Sequence, residues 1–244
     1  WTLGFFCLLV FAFSGKKGLK SLVGLAFSIV ILLKFMVPQI LMGASPFLIT
    51  FFGALLVMLV SMYLAHGFHP RTTVALASTL ITILLALVLS VFFTAFVKVF
   101  GTGSQDAYSL QFLNDGTMLN LKGLFLGGII VGTLGILDDI TVSQASIVDE
   151  LKKANAKLTV KQLYAHAISV GREHIASLVN TLVLAYAGSS LPIFIMFTIN
   201  KQQVTALINS EFIAEEIVRT LIGSSALILA VPITTYIAAV YFNS

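Results

Sequence analysis

Two adjacent carboxylates, Asp138 and Asp139, interrupt a long apolar run, and from Gly123 to Val148 they are the only ionisable side chains. The middle of that run falls near residue 135 or 136. At 1.5 Å per residue the pair therefore lies roughly 4 to 5 Å from the centre of a span. An aspartate at that depth costs about 2.5 to 3.5 kcal/mol on insertion scales, so such residues are retained for chemistry rather than packing. Loss of solvation and a like charge next door both favour the protonated form of one carboxyl. A group that loads and releases a proton inside a bilayer can bias how helices pack. Successive residues on a helix point about 100° apart. Asp138 and Asp139 thus face different neighbours, which suits one as a proton carrier and the other as its electrostatic tuner.

Other chemistries fit the residues less well. A metal site needs further convergent ligands, and His66, His69, His166 and His174 all read as interfacial. No metal or cofactor is expected. Gly135-Ile-Leu-Asp138 has the look of an aspartyl protease signature, but that reaction needs two carboxylates from different helices converging on one water. No second acid lies deep in another span, and the chain is read as a non-enzyme. Glu215-Glu216-Ile-Val-Arg219 reads as a helix start with a local ion pair.

The helix that carries the pair also carries Gly127, Gly128, Gly132 and Gly135. Gly128 and Gly132 have the GxxxG spacing that lets another helix approach closely, and Gly135 extends the same face. The helix is expected to be central in a bundle. In the next span, Asn180 or Thr181 is expected to hydrogen-bond the acidic pair.

Composition dictates what surrounds this helix. Hydrophobic residues make up 58% of the 244-residue chain and charged residues 10%, against roughly 25% charged in a soluble domain. Lipid must be the main solvent, and the fold expected is a single all-α transmembrane domain over residues 1–244 with about seven spans. The candidate spans are 1–13, 19–41, 46–66, 73–99, about 121–145, 174–200 and 216–242, with 1–13 read as the remaining part of a span. Residues 142–172 form a connection with an amphipathic pattern: Ile147, Val148, Leu151, Ala154 and Leu158 share one helical face. It is expected to lie along the membrane surface. A second short helix is expected from a Thr159–Gln162 capping box to a break at Gly171.

Charge gives an orientation. Lys16, Lys17, Lys20, Arg71, Lys152, Lys153, Lys157, Lys161 and Arg172, nine in all, fall on one side, against Lys98, Lys122, Lys201 and Arg219, four, on the other. Lys34 lies within a span, toward its outer end, where it can snorkel. The richer side is cytoplasmic by the positive-inside rule, and with it the C-terminus. The basic residues form no stripe with interleaved aromatics, so nucleic acid is excluded as a partner. Cys7, the sole cysteine, allows no disulfide.

Gly135-Ile-Leu-Asp-Asp-Ile-Thr-Val-Ser143, followed by the amphipathic connection and a polar-dotted span, resembles the fourth and fifth helices of resistance-nodulation-division permeases. More closely, the chain resembles the YibE/F-like family of bacterial membrane proteins, best over about 121–242, including Arg219-Thr-Leu-Ile-Gly223 and Pro232-Ile-Thr-Thr235. The resemblance implies a core like one permease half, without the large extracytoplasmic domain, since Leu41 to Pro46 leaves only a tight turn. It implies a proton relay at Asp138 and Asp139 and a location in the bacterial cytoplasmic membrane. It also implies a partner, either a second copy of this chain or a homologous YibE/F-like subunit, to restore a two-fold arrangement. The function expected is a proton-coupled transporter or transporter subunit of unknown substrate. The alternative is a non-transporting accessory subunit resembling the membrane parts of SecD and SecF.

Overall fold

The computed structural model describes residues 1–113, 119–200 and 203–243, and among them the chain is helical with no strand. In chain order the helices are α1 (Thr2–Ile31), α2 (Val37–Leu41), α3 (Pro46–His66), α4 (Pro70–Val97), α5 (Gln105–Leu113), α6 (Leu121–Ala154), α7 (Val160–Ser189), α8 (Leu191–Ile199), α9 (Val204–Ile208) and α10 (Glu211–Asn243). Proline opens α3 and α4, where its missing N–H costs nothing and its fixed φ is already helical. Gly43 and Gly67, at φ 90° and 78°, make the turns before those prolines.

Five helical segments are long and apolar enough to cross a membrane, or six if the bent pair α7 and α8 forms one span. This is fewer than the seven read from the sequence. The candidates 1–13 and 19–41 fall within one helical stretch, Thr2–Leu41, which is kinked between them. The stretch from Ser14 to Lys20 contains no proline, and Gly15 alone departs from helical geometry there (φ 56°, ψ −138°). Further along, a π-helical turn, Leu32–Met36, joins α1 to α2. Pro38 explains it: the ring crowds the carbonyl four residues back and offers it no N–H, so the helix widens just before.

At the centre stands α6. It packs against α4 and α10 on one side and α3 on the other, while α1 leans on α3 and α7 on α10. Where α4, α6 and α10 meet, the buried residues include many small hydroxyls: Ser78, Thr79, Thr82, Thr133, Thr141 and Thr235. All of these but Thr133 bond carbonyls of their own helices, as in Ser78 Oγ to Val74 O (2.8 Å) and Thr82 Oγ1 to Ser78 O (2.8 Å). Self-satisfied, short side chains let backbones approach closely where lipid offers no hydrophobic drive. Other large apolar side chains point outward, among them Phe92, Phe96 and Leu184, while Ile83, Leu137 and Ile222 are buried with the hydroxyls.

The connection at 142–172 is not a separate surface helix. Residues 142–154 are the last turns of α6, which at 34 residues is roughly 51 Å long and exceeds a hydrocarbon layer of about 30 Å. Gln144, Ala145 and Val148 are buried in the bundle, so protein rather than lipid surface takes up the apolar face. The Thr159–Gln162 capping box forms, but α7 runs through Gly171 without a break. A Cβ there would collide with Val231 and come within 3.0 Å of Gln144 Oε1. That glycine is a packing contact between α7, α6 and α10.

The two ends of the bundle are tied differently. At one, Lys152 Nζ donates to Leu158 O (3.1 Å) and Asn243 Oδ1 (2.8 Å), and Arg71, Asp149, Lys153 and Phe242 line one hollow. The structure thus gathers basic residues of separate connections at that end. At the other, Glu211 at the start of α10 accepts from Phe100 N (2.8 Å), Thr102 N (3.2 Å) and Thr102 Oγ1 (2.5 Å). Glu215, 4% exposed, accepts from Gly103 N (2.8 Å). Arg219 pairs with Glu216 at 3.6 Å, as the local spacing implied, and stacks over Phe125. Lys201, counted above on the sparsely basic side, lies outside the described residues.

Candidate functional site

Asp138 and Asp139 project from α6 to different sides. Asp138 lines a partly open cavity of about 450 Å³ bordered by α1, α3 and α6. Its level is fixed by its neighbour Ser61, five residues before the His66 end of α3 and so roughly 7 Å inside it. Ser61 lies within hydrogen-bonding reach of the carboxyl, while Oδ1 is buried without a partner. Asp139 is exposed on the adjoining face and lines a second hollow, of about 210 Å³, with Ser143, His174 and Ser177.

The larger cavity is graded in polarity. Gly24 of α1 stands opposite Ser61, and near that level Ser21, Ser28, Ser61 and Asp138 supply all the polar side chains among its lining residues. Ser28 spends its proton on Gly24 O (3.0 Å). Toward the other end, where Met36 packs under Gly53, the lining is Leu32, Met36, Ala54 and Val131. Leu32 and Met36 belong to the π-helical turn, so the wall of the cavity is also the place where α1 departs from regular winding.

The structure distributes the other expected residues unevenly. Asn180 and Thr181 are exposed and line neither hollow; the Thr181 hydroxyl donates to Ser177 O (2.9 Å). The residues brought to the acidic pair are Ser61, His174 and Ser177 instead. Level rather than phase is the reason: Asn180 and Thr181 share a face with Ser177 but stand about one turn farther along α7, beyond the hollow that Asp139 lines. Among the described residues the GxxxG pair makes no close contact with another helix either. A Cβ at Gly128 or Gly135 would meet nothing within 4 Å, and at Gly132 it would meet only Tyr186 Oη, at 3.7 Å. The close contact belongs to Gly127, one residue and about 100° away, whose Cβ would strike Thr50 of α3. Gly128, Gly132, Gly135 and Asp139 form an open face instead.

Ser61, Ser21 and Ser28 were not singled out from the sequence. A usable signal exists, since Ser21, Leu25, Ser28 and Leu32 recur at helical spacing and place two hydroxyls on one face of an otherwise apolar segment.

A bundle of long apolar helices around a central α6, with a carboxylate set in a cavity between them, is the architecture of a multi-pass membrane protein. The profile of the YibE/F-like protein family matches residues 2–244, and the chain belongs to that family. Searches of curated proteins and of solved structures returned no match.

Proposed function

We propose that this protein is a membrane transporter, or the membrane subunit of one, coupled to protons through Asp138 and Asp139. One observation carries the reading: within a long apolar helix, Asp138 lines a cavity between helices with one buried carboxyl oxygen lacking a partner. A neutral acid tolerates such a place far better than a carboxylate, so taking up or releasing a proton there changes which packing of α1 and α3 around α6 is favoured. Asp139, exposed on another side, sets the field in which Asp138 titrates, and His174 and Ser177 of its hollow are the polar groups through which it communicates with the richly basic end. By charge that end is cytoplasmic, and the C-terminus with it, in a bacterial cytoplasmic membrane.

The resemblance to one half of a resistance-nodulation-division permease gives the same roles to the two acids and calls for a second half. A second copy, or a homologous YibE/F-like subunit, seated on the open face of Gly128, Gly132 and Gly135 would supply it. Small residues there let a partner helix come close to Asp139.

The test is reconstitution into sealed liposomes carrying an internal pH-sensitive dye. An imposed gradient is expected to drive proton flux through the wild-type chain, and Asp138→Asn is expected to abolish it with insertion unchanged. Undiminished flux in the Asp138→Asn, Asp139→Asn double variant would refute the relay.

A further inference from the structure

We propose that the cavity between α1, α3 and α6 binds a lipophilic organic monocation, with its charge against Asp138 and its apolar body toward the π-helical turn. The inference deepens the transporter reading by naming the class of cargo, and rests on it for direction of use though not for binding.

Size comes first. About 450 Å³ lies within the roughly 300 to 1,000 Å³ typical of small-molecule sites and is far more than a proton or a bare metal ion requires. Charge comes next. Asp138 is the one ionisable residue among those lining the cavity, and no lysine or arginine lines it to act as counter-charge. An ionised carboxyl inside an apolar bundle is tolerated when something positive stands beside it, and an anionic cargo would meet only repulsion.

The remaining lining separates an organic cation from a hydrated inorganic one. Ser21, Ser28 and Ser61 offer hydroxyls near Asp138, but the rest is hydrocarbon and thioether, including Leu25, Ile29 and Met58. A metal ion needs oxygen ligands all round, which this lining does not supply. Methionine sulfur, by contrast, is polarisable and adapts to aromatic and irregular shapes. The polar end and the apolar end of the cavity match the two ends of an amphiphilic cation.

Access follows from the packing. α1 leans on α3, and Leu32 and Met36 of its π-helical turn form part of the cavity wall. π-helical turns recur at functional sites. A shift of α1 about this turn opens the cavity sideways without disturbing the α4, α6 and α10 core.

The full chain in lipid nanodiscs can be titrated with radiolabelled tetraphenylphosphonium and, in parallel, with tetraphenylborate, an anion of the same shape. Saturable phosphonium binding at one per chain is expected, with no Asp138-dependent binding of the borate. Asp138→Asn is expected to weaken phosphonium binding by at least about tenfold, the loss typical of removing a buried charge partner, and Asp138→Glu by much less. Gly135→Leu fills the cavity from a position where a Cβ meets nothing within 4 Å, and is expected to block binding without unfolding the chain. Gly188→Ala, equally open but outside the cavity lining and the proposed partner face, is expected to bind normally and serves as the folding control. Equal phosphonium affinity in wild type, Asp138→Asn and Gly135→Leu would overturn the proposal. Binding as described with no gradient-driven flux would leave it standing and remove the transporter reading; proton flux without Asp138-dependent binding would do the reverse.

Discussion

Thr79 of α4 and Thr141 of α6 share a hydrogen bond of 2.8 Å between two fully buried hydroxyls. Thr141 stands one turn beyond Asp138 and also reaches back to Leu137 O (2.8 Å). One flank of α6 is therefore fixed to α4 at the level of the acids, while the opposite flank borders a cavity. A rigid back and a yielding front are what a proton-driven rearrangement of α1 and α3 requires.

Thr141→Val removes that link while keeping the shape of the side chain. Hydrogen bonds between membrane helices average about 0.6 kcal/mol and reach about 1.7, so a stability loss in that range is expected. Thermal denaturation of the detergent-purified chain, read against Thr198→Val as control, an exposed position whose hydroxyl bonds only its own helix, measures it.

Gly127 and Gly128 are neighbours in sequence with opposite expected behaviour. Gly127→Ala drives a methyl into Thr50 and is expected to cost about 1 to 3 kcal/mol, as overpacking does. Gly128→Ala meets nothing within 4 Å and is expected to be neutral in the isolated chain. The pair of melting curves checks both, and a larger loss at Gly128 would contradict the described packing of α3 on α6.

Glu211 holds the segment from Phe100 to Thr102 by three hydrogen bonds. Glu211→Ala leaves those donors without their charged acceptor, and charged hydrogen bonds contribute about 1.5 to 3 kcal/mol each. Amide exchange at Phe100 and Thr102 is expected to accelerate by tenfold or more, with the amides of α6 unaffected. Unchanged exchange would mean that the clamp does not hold the loop.

A partner on the open face is testable by proximity. In a Cys7→Ser background, Gly128→Cys in membranes is expected to give a disulfide-linked or short-linker dimer when copies meet there, and an exposed lipid-facing control such as Val88→Cys is expected to give none. Equal cross-linking at both positions, or at neither, counts against this interface between copies.

Much of this fold can be read from the sequence, and particular residues show why. The apolar runs at 46–66 and 73–99 return as α3 and α4 within a few residues because proline and glycine mark their starts and leave little choice. The Thr159–Gln162 capping box is a local signal and forms as such. The boundary at 13–19 returns as a kink rather than a loop, because Gly15 adopts a left-handed φ of 56° while helical residues stand on both sides of it. Gly171 was misread because a glycine that breaks a helix and one that admits a neighbouring backbone look identical in sequence, and only Val231 and Gln144 tell them apart. At the site, hydropathy exposes Asp138 and Asp139. Their surroundings depend on the rotation of α1, α3 and α7 about their axes and on their level along them, which tertiary packing sets. Hence Ser61 rather than Asn180 stands beside Asp138.

The most direct measurement is chemical. Dicyclohexylcarbodiimide partitions into bilayers and reacts with protonated carboxyls, so the chain in native-like membranes can be treated and the modified peptide located by mass spectrometry. The account requires an adduct on Asp138, absent in Asp138→Asn and little formed by a water-soluble carbodiimide. An unmodified Asp138, or one labelled as fast by the water-soluble reagent, would contradict an intramembrane proton carrier at this position.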